Sequence, residues 1–199
     1  MTELERPSLH SAAKRKRYIK ADDLSAASEM LAGVDLRGCE LVGFTGGQFS
    51  LFSLLAAILE KTGPAAVDIT TWTAAIADLR DAYLFLETGK IQKLRFLIDR
   101  SFESRQPQYV DSVRDLFPDS VRVTRCHAKF AVIRTEKFDL AIRTSMNLNC
   151  NRRFEIFEIS DDPDLAGFLS GVVDAVWEQG QGFDASPQDV EDALQAVFT

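Results

Sequence analysis

Along the chain, short apolar runs ending in glycine or proline alternate with longer stretches whose apolar residues recur every three or four positions. These are the patterns of buried strands and amphipathic helices. CELVGF at 39–44 ends at Thr45-Gly46-Gly47, and FSLFSLLAAILEKTG after it predicts a helix stopped by Gly63 and Pro64. The unit recurs: AAVDITTW at 65–72 predicts a strand and 74–89 a helix closed by Gly89, then KLRFLID at 93–99 a strand and 109–117 a helix closed by Pro118. Residues 21–33 also show helical spacing, with Asp22 or Asp23 as cap. After SVRV, the runs HAKFAVI and FDLAIRTS flank Arg134-Thr135-Glu136-Lys137 as a predicted antiparallel hairpin. RFEIFEIS at 153–160 adds a strand, and DLAGFLSGVVDAVWEQG a last helix. Strands alternating with helices and ending in a hairpin predict an α/β sandwich, a mixed β-sheet flanked by helices.

Composition refines this picture in three places. A chain of 199 residues, 46% hydrophobic and 27% charged, suits one compact domain, so 21–199 is read as the domain and 1–20 as a basic N-terminal arm carrying Lys14, Arg15, Lys16, Arg17 and Lys20. No run resembles a signal peptide or reaches the roughly 18 apolar residues of a membrane span, and a cytoplasmic protein is expected. Cys39, Cys126 and Cys150 are odd in number and widely spaced, without CxxC or zinc-ligand spacing, and are expected to be reduced.

The net charge of −7 conceals a segregation. Residues 122–153 carry eight Lys and Arg against two acids, while residues 155–199 carry eleven acids and no Lys or Arg. An anionic ligand would be drawn to the first region and repelled by the second. The alternative is that basic strands simply face an acidic helix.

Gly46-Gly47 before a helix has free N–H groups to offer an anion, yet neither GxxxxGK[ST] nor GxGxxG is present, and a tight turn accounts for it. There is no GxSxG elbow, and His10 and His127 are the only histidines. His127 stands out through its company. If its segment is an extended strand, His127 and Lys129 share one face. The hairpin returns Ser145 and Asn147, again two residues apart, toward the same sheet end. An imidazole, a fixed ammonium and neutral donors are the parts phosphoryl transfer needs, since its catalysis is mostly positioning and charge neutralisation.

His127-Ala128-Lys129 followed by Thr144-Ser145-Met146-Asn147 resembles the HxK…GSxN signature of the phospholipase D superfamily, with Glu155 resembling the acidic residue on the next strand. The resemblance is strongest over about residues 120–160. Two positions depart from the pattern: Arg134 stands where an aspartate is usual, with Asp139 out of register, and Thr144 replaces a glycine. The resemblance implies a phospholipase D-like α/β sandwich and a metal-independent phosphodiesterase, without cofactor, working through a phosphohistidine. His127 would be nucleophile in one subunit and general acid in the other. Lys129, Asn147 and Ser145 would hold the phosphate oxygens, and Glu155 the imidazole's second nitrogen. In that superfamily two HxK motifs meet at one site. This chain has one, so the mechanism implies a homodimer. The basic hairpin and arm point to nucleic acid as substrate, hence a nuclease, with a catalytically inactive nucleic-acid-binding or assembly module as the alternative. Thr71, Trp72, Asp99 and Arg100, at strand ends, are candidates to line the pocket.

Overall fold

The computed structural model describes residues 8–11, 17–20 and 27–198. The elements in chain order are β1 (Ser8–Ser11), β2 (Arg17–Lys20), α1 (Ala27–Leu31), β3 (Glu40–Thr45), α2 (Leu51–Thr62), β4 (Ala65–Thr71), α3 (Ile76–Glu87), β5 (Ile91–Asp99), α4 (Phe102–Arg105), α5 (Pro107–Leu116), β6 (Val121–Thr124), β7 (Phe130–Arg134), β8 (Asp139–Thr144), β9 (Glu155–Asp161), α6 (Pro163–Gln179) and α7 (Pro187–Gln195). Among the described residues, one nine-stranded mixed sheet runs in the order β2-β1-β3-β9-β8-β7-β4-β5-β6. β4, β5 and β6 are parallel, and every other neighbouring pair is antiparallel.

The α/β sandwich predicted from the alternation of runs is the architecture observed. Both faces of β7 and β4 are covered, which is why their sequences read as nearly continuous apolar runs. Ala131, Ile133, Val67, Ile69, Phe96 and Phe157 face a large core closed by α1, α2, α3 and α5, while Phe130, Val132 and Leu97 pack under Ala166, Val173 and Val176 of α6. Asp68 breaks the apolar run of β4 on the α6 side. Its carboxylate is fully engaged there by Arg95, through bonds of 2.6 and 2.7 Å, and by Ser170 at 2.9 Å, so the buried charge is matched.

The helices begin and end where their caps lie. Ser50 Oγ accepts from Ser53 N at 3.1 Å to start α2, and Gly63, at φ 81°, ends it. α7 was not anticipated. Its local signal is the capping box of Ser186 with Asp189, but only Val190 and Ala193 are buried along it, too few to show a periodic stripe. In the segment expected to be helical at 21–33, the described helix is α1, and residues 21–26 lie outside the described set. Within the expected basic arm, β1 and β2 pair antiparallel and extend the sheet from β3, whereas Lys14, Arg15 and Lys16 fall outside the described residues.

The pairing directions set up the site. β2, β3, β4, β5, β6 and β8 point one way and β1, β7 and β9 the other, so six carboxyl ends and three amino starts meet at one edge of the sheet. In open α/β sheets that edge, near a reversal of strand order, is where ligands sit.

Candidate active site

At this edge stand Thr45 to Gly47 after β3, Trp72 after β4, Asp99 at the end of β5, His127 and Lys129 before β7, Ser145 and Asn147 after β8, and Glu155 at the start of β9. All five residues singled out from the motif therefore reach one sheet edge from three adjacent strands.

The expected strand around His127 is shorter than its sequence suggests. β7 begins at Phe130, and residues 126–129 are irregular. Side chains hold the first part of this segment, where Asp99 Oδ2 accepts from Cys126 N at 2.9 Å and Thr70 Oγ1 donates to Ala128 O at 3.1 Å, and Thr144 N of β8 donates to Lys129 O at 3.1 Å. The Thr70 hydroxyl also accepts from Phe130 N at 2.9 Å. His127 is thereby lifted off the sheet and exposed, its imidazole packed edge-on against the Trp72 indole with centroids 5.5 Å apart. Lys129 Nζ donates to His127 O at 2.8 Å. Burial lowers the Lys129 pKa from its ordinary value, against the opposing pull of Cys126, Glu155 and Asp99, so the ammonium lies in the field of both carboxylates.

Ser145 Oγ donates to Glu155 Oε2 and accepts from Ile156 N at 3.0 Å. Asn147 Oδ1 accepts from Trp72 N at 3.2 Å, which leaves its amide N–H groups for a ligand. Glu155, given by resemblance the role of holding the imidazole, is here engaged by Ser145. Among the described residues the His127 ring has no hydrogen-bond partner. Neither departure from the motif brings its side chain to these groups, although Thr144 N donates to Lys129 O at 3.1 Å. Arg134 lies at the far end of β7, with Nε 3.6 Å from Asp139 Oδ1. Thr144 satisfies backbone, donating to Ile156 O at 2.7 Å and accepting from Met146 N at 2.9 Å.

Of the proposed pocket-lining residues, Thr71 is fully buried and donates to Thr73 O, so it does not line the site. Asp99 and Arg100 border an open groove of about 460 Å³ with Ser101, Glu103, Ser104 and Arg125. Arg105 was not singled out, yet its guanidinium lies 3.6 Å over the Trp72 ring and donates to Trp72 O at 2.6 Å. A contact between a helix and a strand end has no periodic trace in sequence. The Gly46-Gly47 turn is occupied from within, since Gln48 Oε1 accepts from Gly46 N at 2.6 Å and Thr45 Oγ1 from Gly47 N at 3.1 Å. All three cysteines are free, and burial pushes Cys39 up to about 11 and raises Cys126 as well, which makes them poor nucleophiles.

The charge segregation is answered in part inside the fold. Arg125 meets Glu191 at 3.1 Å, Arg143 meets Glu158 at 2.7 Å, and Arg122 lies 4.5 Å from the Trp177 ring centroid.

Behind the Asn147 segment, Asp78 Oδ2 is buried without a hydrogen-bond partner. Burial pushes this carboxyl from 3.8 up to about 6, with Asp81 adding to the rise and a Ser50 hydrogen bond opposing it. A folded-state pKa above the unfolded one means that the native state holds the proton more tightly. Its stabilising effect is full below pH 4 and is lost as pH rises through about 6. Asp78→Asn is accordingly expected to raise the thermal midpoint at pH 7.5 and to leave no such gain at pH 4, as read by circular dichroism melts at the two pH values.

No protein-family model matches the chain, and no curated protein matches it in sequence. Solved structures do. The chain overlays phosphatidylserine synthase of Haemophilus influenzae Rd KW20 with a TM-score of 0.52 at 14% identity, covering 78% of this chain and 42% of that one. Polyphosphate kinase from Porphyromonas gingivalis gives a TM-score of 0.54 at 11% identity, with 72% of this chain and 27% of the kinase covered. Nuc from Salmonella typhimurium, a phospholipase D family member, gives 0.51 at 15% identity over 71% of this chain and 95% of its own. The chain thus spans less than half of the first two and nearly all of the third. At these identities the likeness is one of fold, and the fold is phospholipase D-like.

Proposed function

We propose that this protein is a metal-independent phosphodiesterase that cleaves nucleic acid through a phosphohistidine, with two copies of the chain supplying the two histidines. The observation that carries the reading is the exposed His127 at the ligand-binding edge of a phospholipase D-like sheet, with Lys129, Asn147 and the Ser145–Glu155 pair on the same edge.

The chemistry follows from these groups. The imidazole of His127 attacks phosphorus and a P–N bond forms as the bond to the leaving oxygen breaks. The partner copy's imidazolium gives that oxygen its proton. Water, deprotonated by the same partner imidazole, then displaces His127 and releases the phosphate. Lys129 leaves the His127 carbonyl for a non-bridging oxygen, and the Asn147 amide donates to another, so the charge a metal would neutralise is met by the ammonium. Ser145 ties Glu155 to the same corner and keeps a carboxylate in reach of the imidazolium that forms.

The spacing of the strands supports a second imidazole from a partner copy rather than from His10. β1 is four strand spacings from β7, about 19 Å at about 4.8 Å each. The test is turnover of bis-p-nitrophenyl phosphate and of DNA and RNA in EDTA, with rapid quench. The expected result is an acid-labile phosphoryl adduct on the peptide containing His127. Turnover that disappears in EDTA, or an adduct elsewhere, would overturn the proposal. Nucleic-acid binding with no turnover of any diester would instead make the chain a non-catalytic binding module on this fold.

A further inference from the structure

Several cations between residues 122 and 153 are used by the fold, but not Lys137, Arg152 and Arg153, and of these Arg152 and Arg153 stand side by side. Both are exposed, and among the described residues neither meets a carboxylate. Phe154 follows them, 66% exposed. It is nevertheless held, stacked on Phe44 with ring centroids 5.0 Å apart and 16° between planes. The loop that carries these three residues is seated on Gly47. A Cβ there would come within 1.7 Å of Asn151 O, and φ is +88°, so a larger residue would push the loop away. Arg153 N donates to Asn151 O at 2.7 Å and Asn151 Nδ2 to Asn149 Oδ1 at 3.2 Å. The next residue, Glu155, belongs to the candidate site.

We propose that loop 151–154, backed by Phe44, is a landing site for single-stranded nucleic acid, with an unstacked base on Phe154 and flanking phosphates on Arg152 and Arg153. The inference deepens the phosphodiesterase reading by naming its substrate as single-stranded. A ring supported on one side and open on the other offers a stacking platform that any base can use once it is free of a duplex. Two unpaired guanidiniums beside it match a backbone of phosphates. β9 lies two strand spacings from β7 and β3 three, about 10 and 14 Å, so a strand gripped at Phe154 reaches His127 within a few nucleotides. A second copy of this chain is the competing occupant. An isologous contact sets the patch against itself, which brings Arg152 and Arg153 toward their own copies and disfavours it.

The test uses the full chain carrying His127→Ala in EDTA, so that cleavage plays no part, and reads anisotropy of a fluorescein-labelled thymidine oligonucleotide and of the same strand in duplex. Expected are tighter binding of the single strand, a loss of about tenfold with Phe154→Ala and retention with Phe154→Trp. The Arg152→Gln, Arg153→Gln double variant is expected to flatten the salt slope by about 1.4. Single-strand binding by Phe154→Ala within about twofold of its parent overturns the proposal. Duplex bound as tightly as single strand does so too, as does a dimer lost with Phe154→Ala while binding stays. Turnover of bis-p-nitrophenyl phosphate by the unsubstituted chain is measured in parallel. Binding as expected with no turnover sinks the phosphodiesterase reading and leaves the landing site, and turnover without that binding does the reverse.

Discussion

Replacing His127 with alanine is expected to lower phosphodiester turnover by about 10³- to 10⁴-fold, the scale of a lost nucleophile and of its proton-transfer role together. The loss should fall on kcat, because Lys129 and Asn147 remain to bind the phosphate. Folding is expected to be nearly untouched. The side chain is exposed and its main packing is the edge contact with Trp72, worth about 1 kcal/mol, so the thermal midpoint should drop by no more than about 4 °C. Matched melts and initial rates separate the two effects. A variant that turns over like its parent would remove the imidazole from the mechanism. A variant that melts far lower would mark His127 as a structural residue.

The largest effect on stability is expected at Phe157. Its ring is fully buried, lies 5.9 Å from Phe49, and occupies the space over Gly43, where a Cβ would come 2.1 Å from Phe157 Cζ. Phe157→Ala is expected to cost about 3–5 kcal/mol through lost burial and the cavity left between β9 and β3. For a chain of this size that lowers the thermal midpoint by roughly 6–20 °C. Gly43→Ala alone should destabilise by clashing with the ring. In the Phe157→Ala background the added methyl has room, so the double variant should be more stable than the sum of the single effects predicts. Additive behaviour in urea melts would show that the ring does not rest on Gly43.

How much of the candidate site was legible differs by residue. His127, Lys129, Ser145 and Asn147 stood out because pairs two apart recur around a hairpin, and Glu155 through resemblance. Trp72 was a candidate only through its place at a strand end, and Arg105 left no mark, because their packing on one another and on His127 joins segments far apart in the chain. The exposed stance of His127 was misjudged as part of a regular strand. Nothing local announces that Asp99 and Thr70 will take the hydrogen bonds of Cys126 N and Ala128 O in place of a neighbouring strand. Neither motif departure brings its side chain into the site: Arg134 lies at the far end of β7 beside Asp139, and the Thr144 hydroxyl satisfies backbone.

The alternation of strands and helices from β3 to α6, the short α4 aside, and their approximate limits could be read from the chain, because periodicity and stop signals are local consequences of backbone geometry and burial. Strand order and direction are not local. The placing of β7 between β4 and β8, and the reversal that lets three strands begin where six end, arise from long-range hydrogen bonding and from closing two cores at once. That arrangement brings the imidazole, ammonium, amide and carboxylate to one edge, and it also pairs Arg125, Arg134 and Arg143 with carboxylates while leaving Arg152 and Arg153 uncovered.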